Sequence, residues 1–388
     1  MKRFTLLFML FSITVTLQAQ TAPPLIGQLL AMNTVEQDAI ILYDLASDTY
    51  RRIAFGTGSH HVWDFSPDGC RVLFTYSEDN AWGQLYSMRI DGSDAQEMAI
   101  YPDLPPERWG IFEPDWSSEG DRIAFTLRRF QSDGDISHHT AFITVDDPTI
   151  QFYSVSGTES SPRWSPDGQW LAYLSYEERV AGASIMATAL ATAQPPPGQT
   201  PVAAVTVNES ELWVVSADAE LKYKLTDFPT GSVTQPRWSP DSELISFVWS
   251  PQNSSDMLWM IANQPAAIPT QLSYEWSMML ESVWLPDATG VIGAIREFRE
   301  AIPNTLWQLP LVNTDDSLAT HYLESLNITH ADFPRFSPDG QWLAVRSNYE
   351  MLLIDIAANT SRLLNRSVIG NTAGVWSPPG FTGEANCN

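Results

Sequence analysis

Trp164-Ser165-Pro166-Asp167-Gly168 is the stretch that decides the fold, because versions of it recur along the chain. Near copies occupy Phe65 to Gly69 and Phe336 to Gly340, and degraded copies begin at Trp116, Trp238, Trp284 and Trp376. Successive copies are 40 to 74 residues apart. A short signal repeated at such intervals is typical of repeat architectures.

The repeated pentad has the chemistry of a tight turn. Proline presets φ at the second turn position, the Ser and Asp side chains can bond nearby backbone amides, and Gly supplies a positive φ. We therefore interpret the best copies as structural turns, formed by Pro67, Asp68, Gly69, Pro166, Asp167, Gly168, Pro338, Asp339 and Gly340. Ser242 stands where Gly is preferred, and we expect it to cost about 1 kcal/mol.

Four short apolar runs accompany each copy of the turn, which is the pattern of a propeller blade. Residues 25–56 supply three runs without an innermost strand, and the last copy at Trp376 supplies an innermost strand with little after it. The two ends therefore complete one blade. The sequence predicts an all-β fold, a seven-bladed β-propeller of four-stranded antiparallel blades, over residues 25–380.

One interval is longer than the others, and its excess lies at residues 177–208. This segment contains an Ala/Thr-rich stretch followed by Pro195-Pro196-Pro197. It is interpreted as a low-complexity loop. The alternative is a short helix that lies over the propeller face as a lid or docking element.

The N-terminus has the pattern of a secretory signal. Lys2-Arg3 precede an apolar run from Phe4 to Leu17, and Ala19 is a plausible cleavage position. We expect a signal peptide at 1–19, a linker at 20–24, a C-terminal tail at 381–388, and a periplasmic or extracellular location. An uncleaved anchor is the alternative.

The charge restricts the partners. The chain of 388 residues carries 21 Lys and Arg against 46 Asp and Glu, a net charge of −25. Nucleic acids and anionic membranes need a basic footprint, so neither is expected as a partner. With 44% hydrophobic residues, the chain has enough apolar surface for a core rather than disorder. We expect a monomer with no membrane span after signal removal.

The turn and the aromatic-rich strand after it, as in Trp164 to Tyr173 and Phe336 to Val345, resemble the TolB-type, WD40-like (PD40) propeller repeat family. The resemblance covers about residues 25–380. It implies relatives among periplasmic scaffold proteins and the propeller halves of prolyl-oligopeptidase-like enzymes. TolB carries an α/β domain ahead of its propeller, whereas about five residues separate the expected cleavage point from the first strand here. The sequence also has no Gly-x-Ser-x-Gly nucleophile motif.

Unusual residues concentrate in the loops that we expect on the rim opposite the turns. Loops on one rim of a rigid scaffold are typical of a binding surface. The candidate binding residues are His60, His61, Trp63, Trp82, Arg108, Trp109, Arg128, Arg129, His138, His139, Glu159 and Trp276.

Two histidine pairs, His60-His61 and His138-His139, raise the question of a metal site. Such a site needs three or four convergent ligands, and adjacent residues of a strand point opposite ways. They are interpreted as solvated loop histidines. Asp91 to Asp94 and Asp133 to Asp135 are interpreted as turns rather than Ca²⁺ loops. We expect no metal and no cofactor.

Cys70 follows the first turn and Cys387 lies in the tail, close enough for a disulfide that would staple the closing blade. Two free thiols are the alternative. The leading hypothesis for function is a non-enzymatic exported propeller that binds a protein, peptide or glycan through its loop-rich rim. The alternatives are a hydrolase or lyase with a polar or metal-assisted site at the channel mouth, and a structural subunit of an envelope assembly.

Overall fold

The computed structural model describes residues 24–79, 81–101, 108–130, 134–153, 157–180, 206–251, 254–273, 277–297, 303–311, 319–364, 370 and 373–387. The expected signal peptide, most of the 177–208 segment and Trp276 lie outside these ranges. None of the helices in the described part of the chain has the length and apolarity needed to cross a membrane.

Seven four-stranded antiparallel sheets form the seven blades. The first blade contains β1 (Leu29–Asn33), β2 (Ile40–Asp44) and β3 (Thr49–Ile53). The next three blades follow in chain order as β4 (Ser59–Phe65), β5 (Arg71–Ser77), β6 (Gln84–Arg89), β7 (Gln96–Glu97); β8 (Trp109–Trp116), β9 (Arg122–Phe130), β10 (Ile136–Thr144), β11 (Asp147–Phe152); and β12 (Glu159–Trp164), β13 (Trp170–Val180), β14 (Thr206–Ser216), β15 (Lys222–Lys224).

The remaining blades have the same antiparallel order. They comprise β16 (Ser232–Trp238), β17 (Leu244–Ser250), β18 (Met257–Ala262), β19 (Thr270–Gln271); β20 (Ser277–Trp284), β21 (Gly290–Glu297), β22 (Thr305–Pro310), β23 (Thr320–His321); and β24 (Ala331–Phe336), β25 (Trp342–Ser347), β26 (Glu350–Asp355), β27 (Thr360–Leu363). The last strand, β28 (Val375–Trp376), returns to the first blade.

The ring closes through this last strand, as the sequence predicts. β28 pairs with β1 through Leu30 opposite Trp376 and Ala31 opposite Val375. The backbone N–H of Leu29 donates to Ser377 Oγ at 3.0 Å, and Ser377 N donates to Leu29 O at 2.9 Å. The edge of the first blade is therefore paired rather than open.

The tail adds two further links to the closing blade. Cys70 and Cys387 form a disulfide that joins positions 317 residues apart. Arg51 donates through both terminal nitrogens to the Glu384 carboxylate, at 2.9 and 2.8 Å. Such a bidentate pair is stronger and more specific than a single contact.

Apolar side chains pack between blades in seven clusters, one for each interface. Val62 and Phe74 of the second blade, for example, pack with Leu29 and Leu42 of the first. The second strands are buried on both faces, which explains their continuous apolar runs. The core is thus a ring of sheet-on-sheet contacts around a central channel, the space enclosed by the seven innermost strands.

The repeated pentad forms a hydrogen-bonded turn at one face of the ring, which we call the turn face. Ser165 Oγ donates to Asp167 Oδ1 at 2.5 Å and accepts from Trp170 N at 2.9 Å. Gly168 has φ +70°, and Gly69 and Gly340 have +73° and +69°. The same bonds recur around Asp68, Asp241 and Asp339.

Candidate functional sites at the two ends of the channel

The residue directly before each turn aromatic stands at the channel, and it is charged in five of the seven blades. These residues keep partial exposure to the channel. In ring order from the first blade they are Val375, Asp64, Asp115, Arg163, Arg237, Val283 and Arg335. The sequence analysis missed this set, although the pattern x-Pro-charged-aromatic before four of the turns would have revealed it.

A β-bulge places these side chains. The ladder between the first two strands shifts register just before the charged residue in blades three, four, five and seven. The bulged residues Glu113, Ser161, Gln235 and Phe333 have φ between +51° and +54°. A bulge re-aims a side chain and is common next to functional sites.

Two aspartates form an acidic sector. Asp64 Oδ2 accepts from Trp116 N at 3.1 Å, and Asp115 Oδ2 accepts from Trp164 N at 2.6 Å. Burial raises the pKa of Asp64 to about 7, with repulsion from Asp115 as the second cause. Burial also raises the pKa of Asp115, although Arg163 opposes this shift.

Three arginines form a basic sector beside it. Glu281 Oε1 accepts from Arg237 at 3.2 Å and from Arg335 at 2.5 Å, so one carboxylate serves two guanidinium groups. The Nη2 atom of Arg163 lies 3.9 Å from Oε1 of Glu113. Burial lowers the pKa of Arg237 to about 9, and repulsion from Arg335 and then Arg163 contributes.

At the turn face the channel widens into a cavity of about 560 Å³. Innermost strands of blades three to seven and Pro379 line it, so it lies on the ring axis. Its polar wall is formed by Asp115, Arg163, Arg237 and Arg335, and its apolar wall by tryptophans and turn prolines. We call it the turn-face cavity.

On the opposite rim, blades three and four carry long hairpins. Strands β9 and β10 have 9 residues each and pair out to Phe130 opposite Ile136. Strands β13 and β14 have 11 residues each and pair out to Val180 opposite Thr206. Arg128 to Phe130 and Ile136 to His139 are therefore strand residues rather than the expected loop, because ladder pairing continues through them. Residues 177–180 and 206–208 also belong to strands, and residues 181–205 lie outside the described part.

A pocket of about 390 Å³, which we call the rim pocket, opens between these two hairpins. It is lined by Phe112, Glu113, Thr126, Arg128, His138, Ser160, Ser161 and Tyr176. His138 N donates to Gly157 O at 3.0 Å, and Tyr176 N donates to Thr158 O at 2.9 Å, so one segment fixes both blades. Burial and then the Arg128 charge lower the pKa of His138.

Aromatic rings hold Arg128 in place. Its guanidinium carbon lies 4.0 Å from the Phe112 ring centroid and 5.9 Å from that of Trp82. Trp82 also packs edge-on against Phe112 and Phe130. The structure therefore brings together three sequence-predicted residues, Trp82, Arg128 and His138.

The other predicted binding residues have different surroundings. His60, Trp109, His139 and Glu159 are buried. His61 packs against Trp63 with 4.3 Å between ring centroids and the ring planes tilted by 53°. Arg108 donates to Phe130 O at 2.9 Å, and the Arg129 guanidinium lies over Tyr101. The expectation of solvated histidines does not hold for His60 and His139, because strand alternation turns these two side chains into the protein interior.

His60 Nε2 accepts from Phe55 N at 3.0 Å, and His139 Nε2 lies 3.0 Å from Ser137 Oγ. Among the residues described here, the histidine, cysteine and carboxylate side chains form no group of three or more that could hold a metal ion.

Searches of known proteins find partial relatives. None of the family models matches the chain. The chain is 27% identical over 140 residues to an uncharacterised protein of Agrobacterium fabrum, and 25% identical over 240 residues to YuxL, an uncharacterised peptidase of Bacillus subtilis. These matches cover 34% and 61% of this chain, but only 45% and 29% of the relatives.

Several solved structures have a similar architecture. A puromycin-hydrolysing peptidase of Mycobacterium tuberculosis has a TM-score of 0.61 at 12% identity, over 88% of this chain and 54% of that chain. An oligogalacturonate lyase from Vibrio parahaemolyticus has a TM-score of 0.55 at 12% identity, over 83% of this chain and 88% of that chain. TolB from Acinetobacter baumannii has a TM-score of 0.49 at 12% identity, over 93% of this chain and 69% of that chain. At such identities the likeness shows the fold alone.

Proposed function

We propose that this chain is an exported, TolB-type propeller that binds an extended segment of a partner protein at the rim pocket. One observation carries the proposal: two neighbouring overlong hairpins enclose a polar pocket at the rim where the blades stop repeating. Binding sites concentrate on such irregular edges of a rigid scaffold. A protein segment supplies the backbone amides and side chains that these polar groups recognise.

The chemistry of the pocket supports this choice. Arg128 is pre-oriented by ring contacts, so it loses little conformational freedom on binding. His138, with its lowered pKa, is neutral at physiological pH and can donate or accept a hydrogen bond. Arginine and tyrosine, which line the pocket, and tryptophan, which packs beside it as Trp82, are enriched among residues that dominate binding energy.

Export is the second part of the proposal. Its support is the signal pattern at residues 1–19 and the disulfide between Cys70 and Cys387, because disulfides persist in oxidising compartments. Fractionation of cells that express the full chain, with N-terminal sequencing of the product, tests it. Export predicts a mature N-terminus near Gln20, and an intact Met1 in the cytoplasmic fraction would contradict it.

Panning a displayed peptide library against the chain from residue 20 tests the binding role. Selected peptides should protect residues 126–144 and 157–180 from hydrogen exchange. Arg128→Ala should weaken binding by about tenfold or more. Arg296→Ala is the matched control. Arg296 is an exposed arginine near the end of β21, the strand of blade six that corresponds to β9, which carries Arg128 in blade three. Equal losses in both variants, or protection elsewhere, would count against the rim pocket.

An enzyme is the second candidate, because Glu113, His138 and Tyr176 place acid–base groups in one pocket. A lyase could use the neutral His138 as a base, with Arg128 to stabilise the charge that forms. The lyase neighbour matches over most of its own length, so a propeller of this size is compatible with catalysis. Incubation with oligogalacturonate, followed by ultraviolet absorbance of an unsaturated product, distinguishes the two: turnover lost in His138→Gln would favour the enzyme.

A further inference from the structure

The turn-face cavity concentrates positive charge in a strongly acidic protein. Arg163, Arg237 and Arg335 come from three different blades and line one cavity of about 560 Å³. Asp115 is the carboxylate in the described lining, and the chain as a whole carries 46 acidic against 21 basic residues. This local reversal of charge would attract an anion and repel cations.

The three guanidinium groups are incompletely neutralised. Glu281 is shared by Arg237 and Arg335, and the nearest carboxylate oxygen to Arg163 is 3.9 Å away, on Glu113. Arg237 Nε is buried without a hydrogen-bond partner among the described residues. A carboxylate in the cavity could pair with these arginines, which recognise carboxylates through a planar fork of donors.

The walls of the cavity favour a peptide over a sugar. Trp116, Trp164, Trp238 and Trp284 are between 5% and 8% exposed, so their ring faces are not open for stacking on sugar rings. The indole N–H groups of Trp238 and Trp284 are already used, because they donate to Arg163 O and Arg237 O. The rim of the cavity consists of proline turns, an apolar border that suits the side chains of a peptide.

We propose that the turn-face cavity is a carboxylate-binding site for an acidic peptide segment. Its acidic side chains enter the cavity and pair with Arg237 and Arg335, and Arg163 supplies a third contact. The site lies nearer the turn face than the rim pocket, and the two share one link, because Glu113 lines the rim pocket and lies 3.9 Å from Arg163. A partner that carries runs of Asp or Glu is the kind of ligand that it selects.

Titration of tryptophan fluorescence with defined probes tests the site, because four tryptophans line the cavity. Capped tetraglutamate should bind, and binding should weaken as salt rises. Capped tetraglutamine, of the same shape without charge, should not bind. Absence of tetraglutamate binding at low salt would overturn the proposal. Equal or tighter binding of succinate or trigalacturonate would overturn the peptide assignment.

Variants locate the binding. Arg237→Gln and Arg335→Gln should each weaken tetraglutamate binding by about tenfold or more, because each removes a charged donor pair. Arg362→Gln is the control of equal charge change, since Arg362 lies on the outer strand β27 and pairs with Asp48. Thermal melts identify any unfolded variant. If Arg335→Gln is unfolded, Arg335→Lys replaces it, because lysine keeps the positive charge but lacks the planar set of guanidinium donors. Unchanged affinity in folded Arg163→Gln, Arg237→Gln and Arg335→Gln variants would overturn the site.

Discussion

The carboxylate of Asp115 accepts a hydrogen bond from the backbone N–H of Trp164 in the next blade, with 2.6 Å between Oδ2 and the nitrogen. Asp64 makes the same contact with Trp116 N. In later blades the tryptophan is again the donor but the groups differ, because the Trp238 and Trp284 indole N–H groups donate to the backbone carbonyls of Arg163 and Arg237. The channel position therefore links each of these blades to its neighbour as well as lining the channel.

Asp64→Asn should flatten the dependence of stability on pH. The pKa of Asp64 is raised to about 7 in the fold from its usual 3.8, so the folded state holds this proton more tightly than the unfolded chain does. Stability from this group is present below pH 4 and falls as pH rises towards 7. At pH 8 the variant should be more stable than the wild type, on the order of 2 kcal/mol.

Denaturant titrations between about pH 2 and 8 measure this effect. Asp38→Asn is a control of opposite sign, because a hydrogen bond from Thr34 lowers the pKa of Asp38. Its stabilising contribution is present above pH 4 and is lost as pH falls further. Parallel pH curves for wild type and Asp64→Asn would contradict the prediction.

Trp238→Phe should cost about 1 kcal/mol more than Trp164→Phe. The two rings are similarly buried, at 8% and 6% exposure, so both variants lose comparable packing. Trp238 Nε1 donates to Arg163 O at 2.9 Å, whereas Trp164 Nε1 has no hydrogen-bond partner in the described part of the chain. A net hydrogen bond contributes about 1 kcal/mol. Urea denaturation of both variants measures the difference, and equal losses would show that the indole bond contributes nothing.

The repeated turn was sufficient to predict the fold, because its chemistry is local. Ser165, Asp167 and Gly168 bond within the same few residues, so sequence spacing alone locates the turn and counts the blades. The closure by β28 was also predictable, because residues 25–56 lack an innermost strand and the last copy of the turn, at Trp376, supplies one. These features depend on neighbours in sequence and on regular strand pairing.

The sites were less predictable, because they depend on contacts between blades. Arg237 and Glu281 are 44 residues apart, and only the ring geometry makes them partners. His60 and His61 are adjacent in sequence, yet one is buried and the other is half-buried beside Trp63. The sequence analysis favoured the rim opposite the turns, and the arginine-lined cavity lies at the turn face instead.

Removal of the disulfide by the double change Cys70→Ser and Cys387→Ser should lower the unfolding free energy by about 5–6 kcal/mol on the loop-entropy model. The ring should still close, since the Arg51–Glu384 pair and the β28–β1 pairing remain. Thermal melts with and without reductant measure this contribution. Reductant should lower the melting temperature of the wild type and leave that of the variant unchanged. Two free thiols in the exported protein under non-reducing mass spectrometry would refute the bridge.

Ser242 distinguishes two opposing effects at one turn. It has φ +64°, a left-handed conformation that costs a non-glycine residue about 1 kcal/mol. Its Oγ also accepts a hydrogen bond from Asp167 N, in the turn of the preceding blade, at 3.0 Å. Ser242→Gly should relieve the backbone cost and lose the hydrogen bond. The unfolding free energy of this variant should therefore stay within about 0.5 kcal/mol of the wild-type value.

Ser242→Ala separates these contributions, because it keeps the backbone cost and loses only the hydrogen bond. It should be destabilised by about 1 kcal/mol. Gly168→Ala is the matched control at the equivalent position of blade four, where φ is +70° and an added Cβ would meet Ser118 Oγ at 2.7 Å. That variant should lose more than Ser242→Ala in denaturant titrations. If Ser242→Gly instead gained a full 1 kcal/mol, the bond to Asp167 would contribute nothing, and the serine would be a degraded glycine as its sequence suggests.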